Sequence, residues 1–255
     1  MLMLKNNMIM WKVVPLCNKQ LRDINKNDIL HNGYFRKCNT YKSGGGYDKF
    51  PHIANKRLNM NGNNQFVVQL YGCSLNCSYC YVTRDGIWGE YKEFTTNELI
   101  DCFIESKQDV FHLMGGSPAL YLENWHNIID KLPEDKIFHS DLLLIEKKYN
   151  INTLKSISKN NCLYAVSIKG YDEEDFYRNT NVKFNKELFW NNFDEIINAW
   201  ISFNLEFYLT FTNCNKDKKE MFWHKLCTRY GCDIADMMLK DSFEIDLIDY
   251  DALKE

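Results

Sequence analysis

From Gln65 onward, short β-rich runs alternate with stretches of helical period. The run Phe66-Val67-Val68-Gln69-Leu70-Tyr71 is short, β-branched and aromatic, and predicts a first strand. Residues 72–91 carry no periodicity and read as a loop. Thr95-Thr96 then precede Asn97 to Ile104, the pattern of a capped amphipathic helix. Further strands are expected at 110–114, 137–145, 163–168, 205–211 and 243–248, with helices near 121–131, 151–158, 186–202 and 217–230. The longest helix places Leu188, Phe189, Phe193, Ile196, Ile197 and Trp200 on one side. The run Leu142-Leu143-Leu144-Ile145 is apolar on both faces, which suits a strand covered on both sides. Five βα units and a sixth strand predict the α/β class with a parallel sheet. In such sheets chemistry sits at the carboxyl ends of the strands.

Residues 1–62 differ. They are rich in Asn and Lys, contain Gly44-Gly45-Gly46 and show no sustained period, so they predict an irregular N-terminal extension and a candidate lid over residues 63–255. No window approaches the roughly 18–20 apolar residues of a membrane span. The opening stretch is broken by Lys5, Asn6 and Asn7 and lacks a secretory layout, which predicts a cytoplasmic chain. Aromatic residues at 15% exclude disorder as the main state. With 31 basic against 34 acidic residues there is no basic field for nonspecific nucleic-acid binding.

Cysteine is the unusual component, at ten residues in 255. Cytosolic thiols stay reduced, so most are expected to be small buried hydrophobes. Cys73, Cys77 and Cys80 are placed differently: three thiols fall within eight residues, directly after the first strand. A structural zinc site wants four protein ligands, and His112 or Cys102 is available as a distant fourth. A cubane [4Fe-4S] cluster held by three thiolates keeps one iron open for a substrate or cofactor. Unrelated buried cysteines are the third reading. Downstream, Gly115-Gly116-Ser117-Pro118 ends the second strand. On its own it is an ordinary strand-to-helix turn with Pro118 at a helix start.

Together these two segments resemble the radical S-adenosylmethionine (radical SAM) superfamily. The cysteine spacing, with Tyr79 before the last thiol, looks like its CxxxCxxC signature, and Gly115 to Pro118 looks like its Gly-Gly-acid-Pro segment with Ser117 in the acidic place. The resemblance spans about residues 65–250 and implies a partial (β/α)6 TIM-like barrel. It implies a [4Fe-4S] cluster on Cys73, Cys77 and Cys80, with S-adenosylmethionine chelating the open iron. Reductive cleavage would then give methionine and a 5′-deoxyadenosyl radical that takes hydrogen from a substrate. Gly115 and Gly116 would let the methionyl group approach the backbone, Ser117 would contribute there through its main chain, and Tyr79 would pack near the adenine. Gly116→Val is expected to damage cofactor binding far more than stability.

Ser167 and Lys169 lie two apart on the fourth strand, hence on one face, and are candidates for the ribose and the methionyl carboxylate. Ser140 and Asp141 on the third strand are weaker candidates. Val166 to Gly170, followed by the acidic run Asp172 to Asp175, is similar to a segment of glycyl-radical activases. That similarity favours a peptide or protein substrate over a small molecule or nucleoside. The superfamily resemblance implies an electron donor such as flavodoxin or ferredoxin. The acidic run itself reads as a solvated helix start. Cys214, Cys227 and Cys232 are read as buried thiols rather than an auxiliary cluster, and Cys17 and Cys38 approach the site only if the extension folds over it. A non-catalytic zinc or iron-sulfur module is the competing function, and it gives no reason for Gly115-Gly116-Ser117-Pro118.

Overall fold

The computed structural model describes residues 9–38, 64–80, 82 and 84–246. The expectations for residues 1–8, Gly44-Gly45-Gly46, the boundary at 62 and residues 247–248 lie outside them. In chain order the elements are β1 (Met10–Val13), α1 (Asn18–Asp23), β2 (Ile29–Leu30), β3 (Phe35–Cys38), β4 (Gln65–Gln69), α2 (Arg84–Trp88) and β5 (Lys92–Thr95). They continue with α3 (Thr96–Ser106), β6 (Val110–Met114), α4 (Trp125–Ile129), β7 (Ile137–Leu143), α5 (Ile151–Ile157), β8 (Cys162–Ile168) and α6 (Glu173–Thr180). The last are α7 (Lys186–Phe203), β9 (Phe207–Thr212), α8 (Lys219–Tyr230), α9 (Cys232–Lys240) and β10 (Phe243–Ile245).

One eight-stranded sheet runs in the order β10-β9-β8-β7-β6-β4-β3-β2. The strands from β4 through β6, β7, β8 and β9 to β10 are all parallel, each pairing with the next. Among the described residues β2 and β10 remain edges, so this α/β sheet has the order of a partial barrel and no closed one is formed.

The two faces of the sheet differ. Phe66, Phe111, Phe138 and Tyr164 lie on one face and join the main apolar cluster with Phe103, Trp125, Leu154 and Phe193 from the helices. The opposite face carries Gln65, His112, His139, Ser167 and Thr210, all buried. Near the amino ends of the strands that face is filled by a second small cluster of Val110, Leu163, Ala165, Tyr208 and Phe243. Period two in a strand sends alternate side chains to these two environments. Helix α3 starts as its sequence signals: Thr95 Oγ1 accepts from Glu98 N at 3.2 Å, and the Glu98 carboxylate accepts from Thr95 N at 2.6 Å.

The extension is more regular than its composition suggests. β3 pairs antiparallel with β4, β2 pairs with β3, and β1 pairs with β5. Its scattered apolar residues Trp11, Val13, Val14, Leu16 and Phe35 are buried, and these few anchors suffice because the sheet edge already exists. Other differences are local. The segment expected as one helix at 121–131 is a 3-10 turn at Pro118–Asn124 followed by α4. The loop at 72–91 contains α2, and α9 has no counterpart in the expected elements.

Candidate functional site

The cysteine loop leaves β4 through Gly72 and is held at several points by backbone and side-chain bonds. Gly72 N donates to Ile87 O at 3.1 Å, and Asn76 N donates to Thr180 O at 3.0 Å. Ser74 N donates to Glu146 Oε1 at 3.1 Å, and Asn181 Nδ2 donates to Asn76 O at 3.0 Å. Cys73 is buried, and Cys77 and Cys80 are half-buried. Burial pushes the Cys73 thiol up to about 12, with the neighbouring Cys77 and Cys80 raising it further. Burial raises Cys77 and Cys80 as well, and the Lys169 ammonium opposes both shifts. As free thiols these groups resist ionisation, and a cationic metal centre would supply the missing compensation. Among the described residues no three His, Cys, Asp or Glu side chains converge on one metal ion. The residues weighed as a fourth zinc ligand have other partners. His112 Nδ1 is 2.9 Å from Gln65 Oε1, and Cys102 Sγ is 3.8 Å from His31 Nδ1.

The glycine turn at the end of β6 closes onto the start of this loop. Ser117 N donates to Gly72 O at 2.7 Å. Gly115 and Gly116 both have left-handed backbones, with φ of +68° and +53°. A Cβ on Gly116 would stand 2.4 Å from Gly72 O and 2.5 Å from Leu70 O. A Cβ on Gly115 would stand 2.1 Å from Gln69 Cγ. This overturns the expectation that Gly116→Val spares the fold, because the space is already taken by the protein's own main chain. Ser117 Oγ is buried with no hydrogen-bond partner among the described residues.

Ser167 and Lys169 sit at the carboxyl end of β8, on the polar face. Ser167 Oγ lies 3.3 Å from Thr210 Oγ1, and Lys169 Nζ donates to Thr212 Oγ1 at 3.2 Å. Lys169 Nζ is also 5.9 Å from the Tyr79 ring centroid, so strand β8 and the cysteine loop face each other. Tyr79 is buried against Cys77. Asp141 is raised to about 6 by burial, with Lys169 opposing. Ser140 is not a site residue: it is fully buried and donates to Leu113 O at 3.1 Å. Its neighbours on β7 two positions away, Phe138 and Leu142, belong to the helix-packed cluster. Adjacent strand residues point to opposite faces, so Ser140 and Asp141 cannot both reach one site.

The remaining cysteines divide. Cys214 lies just past the end of β9, its Sγ 3.6 Å from Ile168 O, and burial raises its thiol. Cys227 and Cys232 interact with one another across the α8–α9 elbow, and the expectation of buried thiols is corrected there: Cys232 is exposed, and Cys214 and Cys227 are half-buried. Cys17 caps α1 and stands near enough to Cys80 to raise its thiol. The acidic run is only partly solvated. Asp175 is buried and accepts from Tyr171 N and Asn215 N, each at 3.0 Å.

Residues 67–216, more than half of the chain, match the family model described as the Radical SAM superfamily. The chain belongs to the radical SAM superfamily. Radical SAM proteins use a [4Fe-4S] cluster and S-adenosylmethionine, and they need a reductant and a substrate. The donor chemistry suits that cluster, with three soft thiols on one loop beside the Lys169 cation, while the three thiols as placed do not converge on one point. No curated protein matches the chain. Among solved structures, one described as native anSMEcpe with bound AdoMet is 17% identical, covering 70% of this chain and 50% of that one at a TM-score of 0.44. Another, native anSMEcpe with bound AdoMet and Kp18Cys peptide, is 15% identical, covering 70% and 49% at a TM-score of 0.43. The radical SAM chain thus spans about half the length of these structures. No helix among the described residues is long and apolar enough to cross a membrane.

Some residues that shape the site gave no signal in sequence. Glu146, Thr180 and Asn181 hold the cysteine loop from connections that follow β7 and β8. Their one shared feature is a position past a strand's carboxyl end, where such sheets gather function.

Proposed function

We propose that Cys73, Cys77 and Cys80 hold the cluster and that the chain generates a radical for hydrogen abstraction from a peptide or protein. The cluster, when bound and reduced, supplies the electron that cleaves S-adenosylmethionine at its sulfur–C5′ bond. The chain's own residues do the rest. Gly115 and Gly116 leave the turn free of side chains, so that main-chain carbonyls meet the methionyl ammonium. Ser117 Oγ, buried and without a partner among the described residues, is a further polar atom for the cofactor. Lys169 stands between Tyr79 and Thr212, where its charge suits the methionyl carboxylate. Ser167 offers a hydroxyl one step deeper for the ribose, and Tyr79 offers a ring face for the adenine.

The observation that carries this reading is the contact of the two motifs. The glycine turn touches the loop at Gly72, one bond before the first thiol, and Lys169 closes the other side over Tyr79. A zinc module has no use for such a turn. A peptide or protein substrate is supported by the activase-like segment of β8. The reductant is a low-potential carrier of the flavodoxin or ferredoxin kind, in keeping with a cytoplasmic chain.

The test is chemical. Anaerobically reconstituted protein given dithionite and S-adenosylmethionine is expected to release 5′-deoxyadenosine without added substrate, and Lys169→Met is expected to slow release at least tenfold. An iron-loaded protein that forms no nucleoside would sink the proposal.

A further inference from the structure

Helices α8 and α9 form a hairpin with Gly231 as its elbow. Gly231 N donates to Cys227 O at 2.9 Å, and Ala235 N donates to Gly231 O at 3.1 Å, so both helices run up to the glycine. Across the hairpin Trp223 Nε1 donates to Asp236 Oδ1 at 2.7 Å, which marks the seam where the two helices meet. Cys227 lies four residues after Trp223, and Cys232 four before Asp236. Residues four apart share a helix face, so the two cysteines are the next pair on that seam, one turn nearer the elbow. Their thiols hydrogen-bond to one another.

The two thiols differ in access. Cys232 is exposed and Cys227 is half-buried. Burial and the bond to Cys232 push the Cys227 thiol up to about 11, and Asp236 adds to the rise. An oxidant from solution therefore meets Cys232 first, and Cys227 reacts with what Cys232 has captured. Among the described residues no three His, Cys, Asp or Glu side chains could hold a metal ion, so the chemistry open to this pair is exchange between sulfurs.

We propose that Cys227 and Cys232 form a dithiol modification site that takes a small-molecule disulfide of the glutathione class and closes into an intramolecular disulfide. Cys232 loses its proton and its sulfur attacks glutathione disulfide, whose S–S bond breaks to release one glutathione. Cys227 then loses its proton and attacks the Cys232 sulfur, expelling the second glutathione. The two protons lost by the cysteines equal those gained by the two glutathione thiols. Two protein thiols are oxidised, and one glutathione disulfide is reduced. The elbow has room to adjust, because Gly231 sits at φ +89° and a Cβ there would meet nothing within 4 Å. Cytosolic bridges of this kind are usually transient and sense oxidant rather than staple a fold. The step needs neither a cluster nor S-adenosylmethionine, so it stands apart from the radical reading.

The test uses the full chain, equilibrated anaerobically with a series of glutathione and glutathione disulfide mixtures and quenched with N-ethylmaleimide. Trypsin cuts after Lys225, Arg229 and Lys240, so the bridge would join peptides 226–229 and 230–240. Mass spectrometry without reduction should find that linked pair, and dithiothreitol should abolish it. In Cys227→Ser the glutathione on Cys232 should persist at least tenfold longer than in the wild type. In Cys232→Ser, Cys227 should gain glutathione at least tenfold more slowly than Cys232 does in Cys227→Ser. Absence of the linked pair across the series overturns the proposal. So does a mixed disulfide on Cys232 that lives equally long with and without Cys227, or an equal rate of glutathione capture by the two single variants.

Discussion

The glycine turn and the cysteine loop meet at Gly72, yet they are built on opposite terms. The turn is defined by absence of side chains: two positive-φ residues in a row, with the main-chain oxygens of Leu70 and Gly72 where a Cβ would go. The loop is defined by its side chains, which end in one buried and two half-buried thiols, while its backbone is held by bonds from Thr180, Glu146 and Asn181. In the turn the glycines are demanded by the fold itself, so a substitution there disturbs structure before it can report on a cofactor. In the loop they are carried by different atoms, so one can be removed and the other kept.

Gly116→Val should give the largest loss. A non-glycine residue in the left-handed region costs about 1–2 kcal/mol, more when β-branched, and forcing volume into a packed site adds about 1–3 kcal/mol. The atoms in the way are backbone, so they yield only if β4 or the loop shifts. At roughly 2–4 °C per kcal/mol for a chain of this size, the iron-free protein should melt some 5–15 °C lower. An unchanged melting curve would show that the turn is looser than the close approach to Leu70 and Gly72 requires.

That outcome also marks what was legible beforehand. The strands β4, β6, β7, β8 and β9 were readable because each joins β-branched or aromatic residues to a turn signal. Gly116 is visible as a residue, but not the backbone it faces, which lies just past the end of β4 some forty-five positions earlier. Ser140 was misjudged although period two already separates it from Asp141; which of the two faces the helices is decided by neighbouring strands. The short strands β1, β2 and β3 depend on pairing to β5 and β4, and their own residues carry too little pattern to announce it. Helix α9 follows directly on α8 across Gly231, at φ +89°, and lies wholly past the helix expected at 217–230.

Gly115→Ala sharpens the contrast within the turn itself. Here the obstacle is the Gln69 side chain, which can move. Moving it breaks the 2.8 Å bond from Gln20 Nε2 to Gln69 Oε1, a tie between the extension and β4. The left-handed backbone costs about 1–2 kcal/mol and the buried hydrogen bond about 1 kcal/mol. A loss of about 2–3 kcal/mol in urea unfolding is expected, below that of Gly116→Val. Adding Gln20→Ala to Gly115→Ala should cost less than the sum of the two single changes, since both break the same bond. Full additivity would place the strain elsewhere.

Cys77→Ala should have the smallest effect on stability and the most complete effect on iron. Its thiol is half-buried and leans on Tyr79 rather than filling the centre of the core. Replacing it removes one sulfur from a site that already touches solvent, so the iron-free protein should unfold within about 1 kcal/mol of the wild type. The loop keeps its bonds from Thr180 and Asn181, because those go to the main chain of Asn76. Iron is another matter, since a cluster left with two thiolates has lost a third of its protein ligands. Iron and sulfide analysis after anaerobic reconstitution should give near-zero occupancy. Full occupancy would remove Cys77 from the ligand set, and a chain that failed to fold would mean that this loop, like the turn, cannot separate its chemistry from its structure.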